Sequence, residues 1–257
     1  MRKHRVQLGL GLISIGRTWG ARPVPVPGEA EALAFLEGAY ELGIRLFDTS
    51  PSYGDSEVKL GRFLTGLSRE ERAQVSVATK FGEHWNSGTG EPFTDHSYDA
   101  LRRSLVRSRD RLGAIDLLQL HRTSPEVLGS ADLDKAWESA LDAGVGRIGV
   151  SASDPASAAA ALALGYQVLQ MPYNASREDM GPALREAASK DVELLINRPY
   201  QAGAKLYETA EPDKRELFAH VLRVKFRGWV LTGTRSVDHL KENLDAFRAA
   251  LKMSEES

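Results

Sequence analysis

The chain of 257 residues contains no cysteine. This absence excludes disulfide bonds, catalytic thiols and cysteine-ligated metal sites. It is typical of proteins from a reducing compartment, so we expect a cytoplasmic location. The six histidines are scattered and form no H-E-x-x-H pattern, and the sequence therefore predicts no metal site and argues against a metal hydrolase.

The sequence also has no apolar run of the roughly 18 residues that a membrane span requires. Residues 1–16 lack the long apolar region of a secretory signal peptide. The formal net charge is −2, which provides no strong attraction for nucleic acid or anionic membranes. An arginine-rich stretch at 102–111 could indicate a phosphate-binding face, but Leu101, Leu105 and Leu112 recur near helical spacing and favour the solvated side of an amphipathic helix. We predict neither a nucleic-acid nor a membrane partner.

Short apolar runs, in contrast, alternate with helical patterns along the whole chain. The predicted strands are 8–15, 44–49, 75–81, 115–121, 147–152, 167–173, 192–198 and 229–233. The predicted helices are 29–42, 56–66, 97–112, 132–143, 155–164, 178–189, 213–225 and 236–250. Strict alternation indicates a parallel sheet. Eight such units in about 250 residues predict a closed (β/α)8 barrel of the TIM type, with residues 1–257 as one domain. A doubly wound open sheet is the alternative.

Four polar residues fall where the predicted strands end. Asp48 ends the second strand, Lys80 the third and His121 the fourth. Tyr53 lies in the loop after the second strand. Because the catalytic groups of a barrel lie at the carboxyl ends of its strands, we expect these four side chains to meet at one rim.

Together the four could donate a proton to a carbonyl group that is being reduced. A tyrosine hydroxyl has a pKa near 10, and the ammonium group of Lys80 would lower it. Asp48 could hold Lys80, and His121 could orient the carbonyl oxygen. The carbon needs a hydride, which a nicotinamide or a flavin must supply. Taken singly, each residue also fits a structural role: a solvated lysine, a structural histidine, or a tyrosine packed on the rim.

Six motifs in chain order resemble those of the aldo-keto reductase superfamily. They are DTSPSYGDSE, ATKFG, LLQLH, IGVSAS, LQMPYN and LTGTRSVDHLKEN, and the resemblance runs from about residue 6 to 250. It implies that Tyr53 is the general acid/base and that Lys80 lowers its pKa. It implies further that Asp48 pairs with Lys80 and that His121 orients the substrate carbonyl. The implied activity is NAD(P)H-dependent reduction of aldehydes or ketones to alcohols.

The resemblance also implies an extended nicotinamide cofactor across the barrel mouth. The carboxamide, ribose, pyrophosphate and adenosine positions correspond in this chain to Gly11, Leu12, Ser151, Gln170, Asn197, Arg198, Gly203, Thr234, Arg235, His239, Glu242 and Asn243. Arg235 matches the geometry of a 2′-phosphate and favours NADP(H) over NAD(H).

Three positions and one segment depart from the family pattern. Ala152 replaces a frequent asparagine, and Asn197 replaces an aromatic residue expected under the nicotinamide. Arg122 replaces a frequent tryptophan after the histidine, and segment 204–228 is shorter than usual.

A literal G-x-G-x-x-G pattern at 144–149 is a separate candidate for dinucleotide binding. In a Rossmann fold this pattern follows a strand and opens a helix. Here it follows a helical pattern and precedes a strand, so we interpret Gly144 and Gly146 as a helix C-cap and a tight turn.

Substrate specificity is expected to lie in the loops. Trp19 and Trp85, in loops after the first and third strands, could line an apolar substrate pocket or merely pack the loops. The substrate is expected to be a small carbonyl compound; the oligomeric state is left open, with a monomer among the options. Two other classes remain: a cofactor-binding sensor or scaffold barrel, and a lyase or isomerase with Lys80 as a Schiff-base amine, which a neighbouring Asp48 disfavours.

Overall fold

The computed structural model describes residues 5–20, 24–200 and 213–256. Its strands are β1 (Arg5–Gly11), β2 (Leu46–Asp48), β3 (Ser76–Phe81), β4 (Glu83–Asn86), β5 (Glu91–Thr94), β6 (Leu117–Leu120), β7 (Ile148–Ser151), β8 (Val168–Pro172), β9 (Glu193–Asn197) and β10 (Arg227–Gly233). Eight parallel strands close into a barrel in the order β1-β10-β9-β8-β7-β6-β3-β2. The predicted (β/α)8 barrel is confirmed, and the doubly wound sheet is wrong.

The helices surround the barrel. In the described ranges, the eight longer ones agree closely with the predicted helices, whereas three four-residue helices were not predicted. The helices are Ile13–Gly16, Glu29–Glu41, Ser56–Gly66, Arg69–Arg72, Tyr98–Leu112, Pro125–Leu128, Ala131–Asp142, Pro155–Ala163, Gly181–Ser189, Lys214–Leu222 and Val237–Glu256, with a 3-10 turn at Glu178–Met180. The arginine-rich helix buries Leu101, Leu105 and Leu112, as its apolar spacing predicted. Among the described residues, no helix is both long and apolar enough to cross a bilayer.

Two local predictions are wrong. The first strand ends at Gly11 instead of residue 15, because Ile13–Gly16 forms a helical turn. Leu12 and Ile15 in this stretch are fully buried, and a short apolar run does not distinguish a helix from a strand. The second error concerns Trp85, which lies not in a loop but in the antiparallel hairpin that β4 forms with β5.

The G-x-G-x-x-G stretch forms a turn. Gly144 follows the helix Ala131–Asp142 and has a φ of +80°, a conformation that glycine adopts without strain. Strand β7 begins only at Ile148, so the pattern stands at the wrong end of a helix for dinucleotide binding.

Inside the barrel, the inward-facing side chains change from apolar to polar toward the carboxyl ends of the strands. The apolar layer is Leu46, Ala78, Leu117, Val168, Leu195 and Leu231. Two positions after the first five of these residues come Asp48, Lys80, Gln119, Gln170 and Asn197. Since residues two apart on a strand point to the same face, the apolar layer supports a polar layer at the barrel mouth.

Candidate active site

An ion pair lies at the centre of the polar layer. Lys80 Nζ lies 2.8 Å from both carboxylate oxygens of Asp48 and 2.9 Å from the carbonyl oxygen of Thr49. Lys80 is fully buried, and Asp48 is 2% exposed. Burial lowers the pKa of Lys80, but the charges of Asp48 and of an ionised Tyr53 outweigh it, and the net pKa is raised. The lysine is therefore an ammonium ion in the folded protein.

Two glutamines complete the environment of this carboxylate. Gln119 Nε2 donates to Asp48 Oδ1 at 3.2 Å, and Gln170 Nε2 donates to Oδ2 at 3.3 Å. Each carboxylate oxygen of Asp48 thus accepts one hydrogen bond from the ammonium of Lys80 and one from a glutamine amide. A buried charge is tolerated when it is paired and hydrogen-bonded in this way. The sequence analysis above does not name Gln119 as a site residue. Its position on β6, two residues after the core residue Leu117, could have indicated that it faces the barrel mouth.

Tyr53 lies directly above the ion pair. Its ring centroid is 5.1 Å from Lys80 Nζ. The loop is fixed by hydrogen bonds from Tyr53 N to Ser50 O at 3.0 Å and from Ser56 N to Tyr53 O at 3.2 Å. It also contains Gly54 at a φ of +60°. The loop thus places Tyr53 at the carboxyl-end rim of the barrel, where its position in the sequence predicted it.

The net pKa of Tyr53 is raised. The largest cause is burial of the hydroxyl away from water, which raises the pKa. The carboxylates of Asp48 and Glu83 also raise the pKa, whereas the ammonium of Lys80 lowers it. Lys80 therefore lowers the pKa, as expected, but does not bring it below the ordinary value of 10. At neutral pH, Tyr53 carries its proton.

His121 lies beside Tyr53, with the two rings edge to face and their centroids 6.2 Å apart. Its Nδ1 lies 3.0 Å from Glu83 Oε2. Burial lowers the pKa of His121 more than the Glu83 carboxylate raises it. A carboxylate at this distance favours a hydrogen on Nδ1, so the neutral imidazole presents an unprotonated Nε2, and only the imidazolium form donates from both nitrogens.

Glu83, at the start of the β4–β5 hairpin, is buried and was missed from the sequence. It accepts hydrogen bonds from Ser52 Oγ at 2.7 Å and from Arg122 Nε. Burial raises the pKa of Glu83. The hydrogen bond and charge of His121, together with the hydrogen bonds from Ser52 and Arg122, outweigh burial and hold the net pKa of Glu83 far below the usual range. No local pattern marks this residue, because its partners come from two segments far from it in the chain, Ser52 in one and His121 with Arg122 in the other.

A cleft of about 1220 Å³ opens above these groups. Its wall includes Asp48, Tyr53 and His121 together with most of the predicted cofactor residues: Gly11, Ser151, Gln170, Asn197, Arg198, Thr234, Arg235, His239, Glu242 and Asn243. Trp19 also lines it. Lys80 and Leu12 are fully buried beneath the wall. Gly203 lies outside the described residues.

The wall carries buried polar atoms that still need partners. Gln170 Oε1 and Asn197 Oδ1 are buried without a hydrogen-bond partner among the described residues. Ser151 pairs in register with Gln170 and lies beside it. Since buried acceptors are normally satisfied, these amide oxygens fit a ligand with N–H donors, such as the carboxamide of a nicotinamide.

The other end of the cleft is built by the helix Val237–Glu256 and the residues before it. Arg235 lies at the surface, and its Nη1 donates to the carbonyl oxygen of Pro25. Glu242 pairs with Lys214 at 2.6 Å. Asn243 is buried, donates to Thr232 Oγ1 at 2.8 Å and accepts from Tyr200 at 3.3 Å. Its amide therefore already ties the helix to β10.

Comparison with known proteins gives a consistent set of relatives. A family model described as the aldo/keto reductase family matches residues 7–215. The D-threo-aldose 1-dehydrogenase of a Pseudomonas species is 37% identical over 158 residues, which cover 53% of this chain and 44% of that protein. The L-galactose dehydrogenase of Arabidopsis thaliana is 37% identical over 118 residues, or 44% of this chain and 33% of that protein. The alignments thus span less than half the length of these curated relatives.

A solved structure covers more of the chain. A Pseudomonas aeruginosa protein, proposed to be an aldo-keto reductase, superposes with a TM-score of 0.80 at 28% identity. The superposition covers 95% of this chain and 90% of that one. The match therefore extends over the whole barrel.

Proposed function

This chain is a member of the aldo/keto reductase family, and on that premise we propose that it is a single-domain, nicotinamide-dependent oxidoreductase that interconverts carbonyl compounds and alcohols. The two curated relatives described above are named as dehydrogenases of sugars. Their names support a small polar aldehyde, ketone or sugar as the substrate of this chain.

The observation that carries the proposal is the buried Asp48–Lys80 ion pair beneath Tyr53. In reduction, the Tyr53 hydroxyl donates its proton to the carbonyl oxygen, and in oxidation the phenolate takes it back. The Lys80 ammonium stabilises the phenolate that remains after donation. Burial lowers the pKa of Lys80, and the charge of Asp48 opposes that effect and helps to keep the lysine charged.

We propose that His121 orients the carbonyl oxygen as an imidazolium donor. To hydrogen-bond a carbonyl oxygen, the ring must donate an N–H. Because Nδ1 faces the Glu83 carboxylate at 3.0 Å and carries a hydrogen there, Nε2 carries a hydrogen only in the charged ring. The ionised Glu83 stabilises that form, so Glu83 is a positioning residue that acts through His121.

A reduced nicotinamide, when bound, supplies the hydride for the carbonyl carbon. Ser151, Gln170 and Asn197 would hold its carboxamide, because the buried amide oxygens of Gln170 and Asn197 find no hydrogen-bond partner in the described ranges. Arg235 would meet a 2′-phosphate, which supports NADP(H) as the cofactor.

The test compares Tyr53→Phe with the wild type and with Tyr40→Phe, which removes a hydroxyl from the outer helix Glu29–Glu41. NADPH binding is followed by tryptophan fluorescence, and turnover of aldehydes by absorbance of the reduced nicotinamide. Tyr53→Phe should bind NADPH like the wild type and lose about 10²- to 10⁴-fold in kcat. Tyr40→Phe should retain activity.

Reduction by Tyr53→Phe at the wild-type rate would refute the assignment of the proton donor. NADPH binding by the wild type without turnover of any aldehyde would favour a sensor or scaffold role instead.

A further inference from the structure

Three arginines line the cleft near Tyr53. Arg122 pairs with Glu83 and Arg198 is a candidate cofactor residue, whereas Arg17 has no role in the proposed chemistry. Arg17, at the end of the short helix after β1, lies with its guanidinium carbon 5.9 Å from the Tyr53 ring centroid. The same carbon is 5.5 Å from the Trp19 ring and 5.8 Å from the Trp85 ring. Arg198 lies 5.4 Å from the Trp19 ring, and Arg122 also lines the cleft.

Arg17 is the least satisfied of these groups. Its Nε is buried and has no hydrogen-bond partner in the described part of the chain. No acidic partner of Arg17 is found there either, and its contacts are the faces of aromatic rings. A guanidinium has five N–H donors and no acceptor, and buried donors are normally paired. Arg17 also lines the cleft, so its guanidinium is placed to pair with an anion bound there.

The acidic groups close to Tyr53 do not neutralise this arginine. Asp48 is paired with Lys80, and Glu83 with His121 and Arg122. The remaining acidic residues of the cleft wall, Glu31, Asp213 and Glu242, belong to or adjoin the outer helices at the adenosine end. Within the described ranges, the Arg17 guanidinium near Tyr53 therefore has no acidic counterpart.

We infer that Arg17 binds an anionic group of the substrate, a carboxylate or a phosphate that lies a few bonds from the reacting carbonyl. Planar guanidinium groups bind both anions through paired N–H donors. The guanidinium carbon of Arg17 is 5.9 Å from the centroid of the ring of Tyr53, whose hydroxyl protonates the carbonyl oxygen. The anionic group of the substrate must therefore lie close to its carbonyl group. The guanidinium carbon also lies within about 6 Å of the Trp19 and Trp85 ring centroids, the range of cation–π contacts, so these rings help to hold Arg17 in place. This inference rests on the proposed reductase function and names its substrate class.

Matched pairs of aldehydes test it. Butanal is compared with 4-oxobutanoate for a carboxylate, and glyceraldehyde with glyceraldehyde 3-phosphate for a phosphate. Steady-state kinetics with NADPH give the ratio of kcat/KM for the charged and the neutral member of each pair. Arg17→Gln is the test variant, and Arg107→Gln, on the exposed face of the helix Tyr98–Leu112, is the matched control.

The wild type should prefer at least one charged member, and Arg17→Gln should lower that charged-to-neutral ratio about 10- to 100-fold, mainly through KM. The pair that responds identifies the anion. Arg107→Gln should leave the ratio unchanged. The preference should also weaken in high salt, since exposed parts of the cleft are screened.

Equal reduction of charged and neutral aldehydes by the wild type, or a ratio that Arg17→Gln does not change, would overturn the inference and leave the reductase function intact. Weaker NADPH binding by Arg17→Gln, at an unchanged ratio, would assign Arg17 to the cofactor and also overturn it. Failure of the wild type to reduce any of the four aldehydes would instead count against the proposed function itself.

Discussion

Replacing Asp48 by asparagine should leave the Lys80 ammonium buried without its counter-charge. The two side chains are within 2.8 Å of each other, and Lys80 is 0% exposed, so water cannot replace the lost carboxylate. Breaking a buried ion pair by removing one partner costs about 3–5 kcal/mol. This is a large fraction of the about 5–15 kcal/mol that stabilises a typical domain.

The pH dependence gives the prediction a sharper form. In the wild type the folded pKa of Lys80 is raised, so its stabilising contribution is complete below the ordinary pKa near 10.4 and is lost as the pH rises through the folded value. In Asp48→Asn only burial remains as a strong influence, and it lowers the pKa of Lys80. In this variant the unfolded state binds more protons than the folded state. The loss of stability relative to the wild type should therefore shrink as the pH rises from about 7 to about 10.

The assay is urea unfolding followed by tryptophan fluorescence at several pH values. Glu186→Gln, which breaks an exposed pair with Lys190, is the control and should cost about 1 kcal/mol or less. Adding Lys80→Met to Asp48→Asn should recover part of the loss, because no charge then stays buried. A deficit below about 1 kcal/mol that does not vary with pH would refute the assignment of a charged, buried pair.

Three further outcomes test other parts of the site. The kcat/KM for reduction should rise as the pH falls below about 6.5, because the pKa of His121 lies below its ordinary value. Glu83→Gln removes the carboxylate that favours the imidazolium and should move this rise to lower pH; a pH profile identical to that of the wild type would contradict the role of Glu83. Arg235→Ala should weaken NADPH binding about 10- to 100-fold and NADH binding much less, measured by fluorescence titration, whereas equal losses would remove the 2′-phosphate contact. Gly16→Ala should reduce both unfolding stability and turnover, because a Cβ there overlaps the carbonyl oxygen of Tyr53 and the side chain of Ser56; a fully active, stable variant would show that the Tyr53 loop tolerates displacement.

Much of the fold could be predicted because its signals are local. Apolar runs and helical spacing repeat along the chain, and the barrel follows from their alternation. The errors arose where the local signal was ambiguous. Residues 12–15 are apolar in either a strand or a helical turn, and the stretch around Trp85 contains too few apolar residues to predict a hairpin.

Part of the site could be predicted for a related reason. Asp48, Lys80 and His121 each end an apolar run, and barrel geometry brings the ends of strands to one rim. Gln119 followed the same rule but was not distinguished from the other polar residues in the sequence. The sign of the pKa shift of Tyr53 could not be predicted, because it depends on how far the hydroxyl is removed from water.

The sequence by itself determined the alternation of strands and helices, the positions of the polar residues at strand ends, and the motifs of the aldo/keto reductase family. Those features depend on residues close together along the chain. Only the tertiary structure decided that Glu83 faces His121 and that Asp48 accepts from two glutamines. It also decided that the Arg17 guanidinium lies near the rings of Tyr53 and Trp19. These contacts join segments far apart in the chain, and their energies depend on burial and distance, which no local pattern contains.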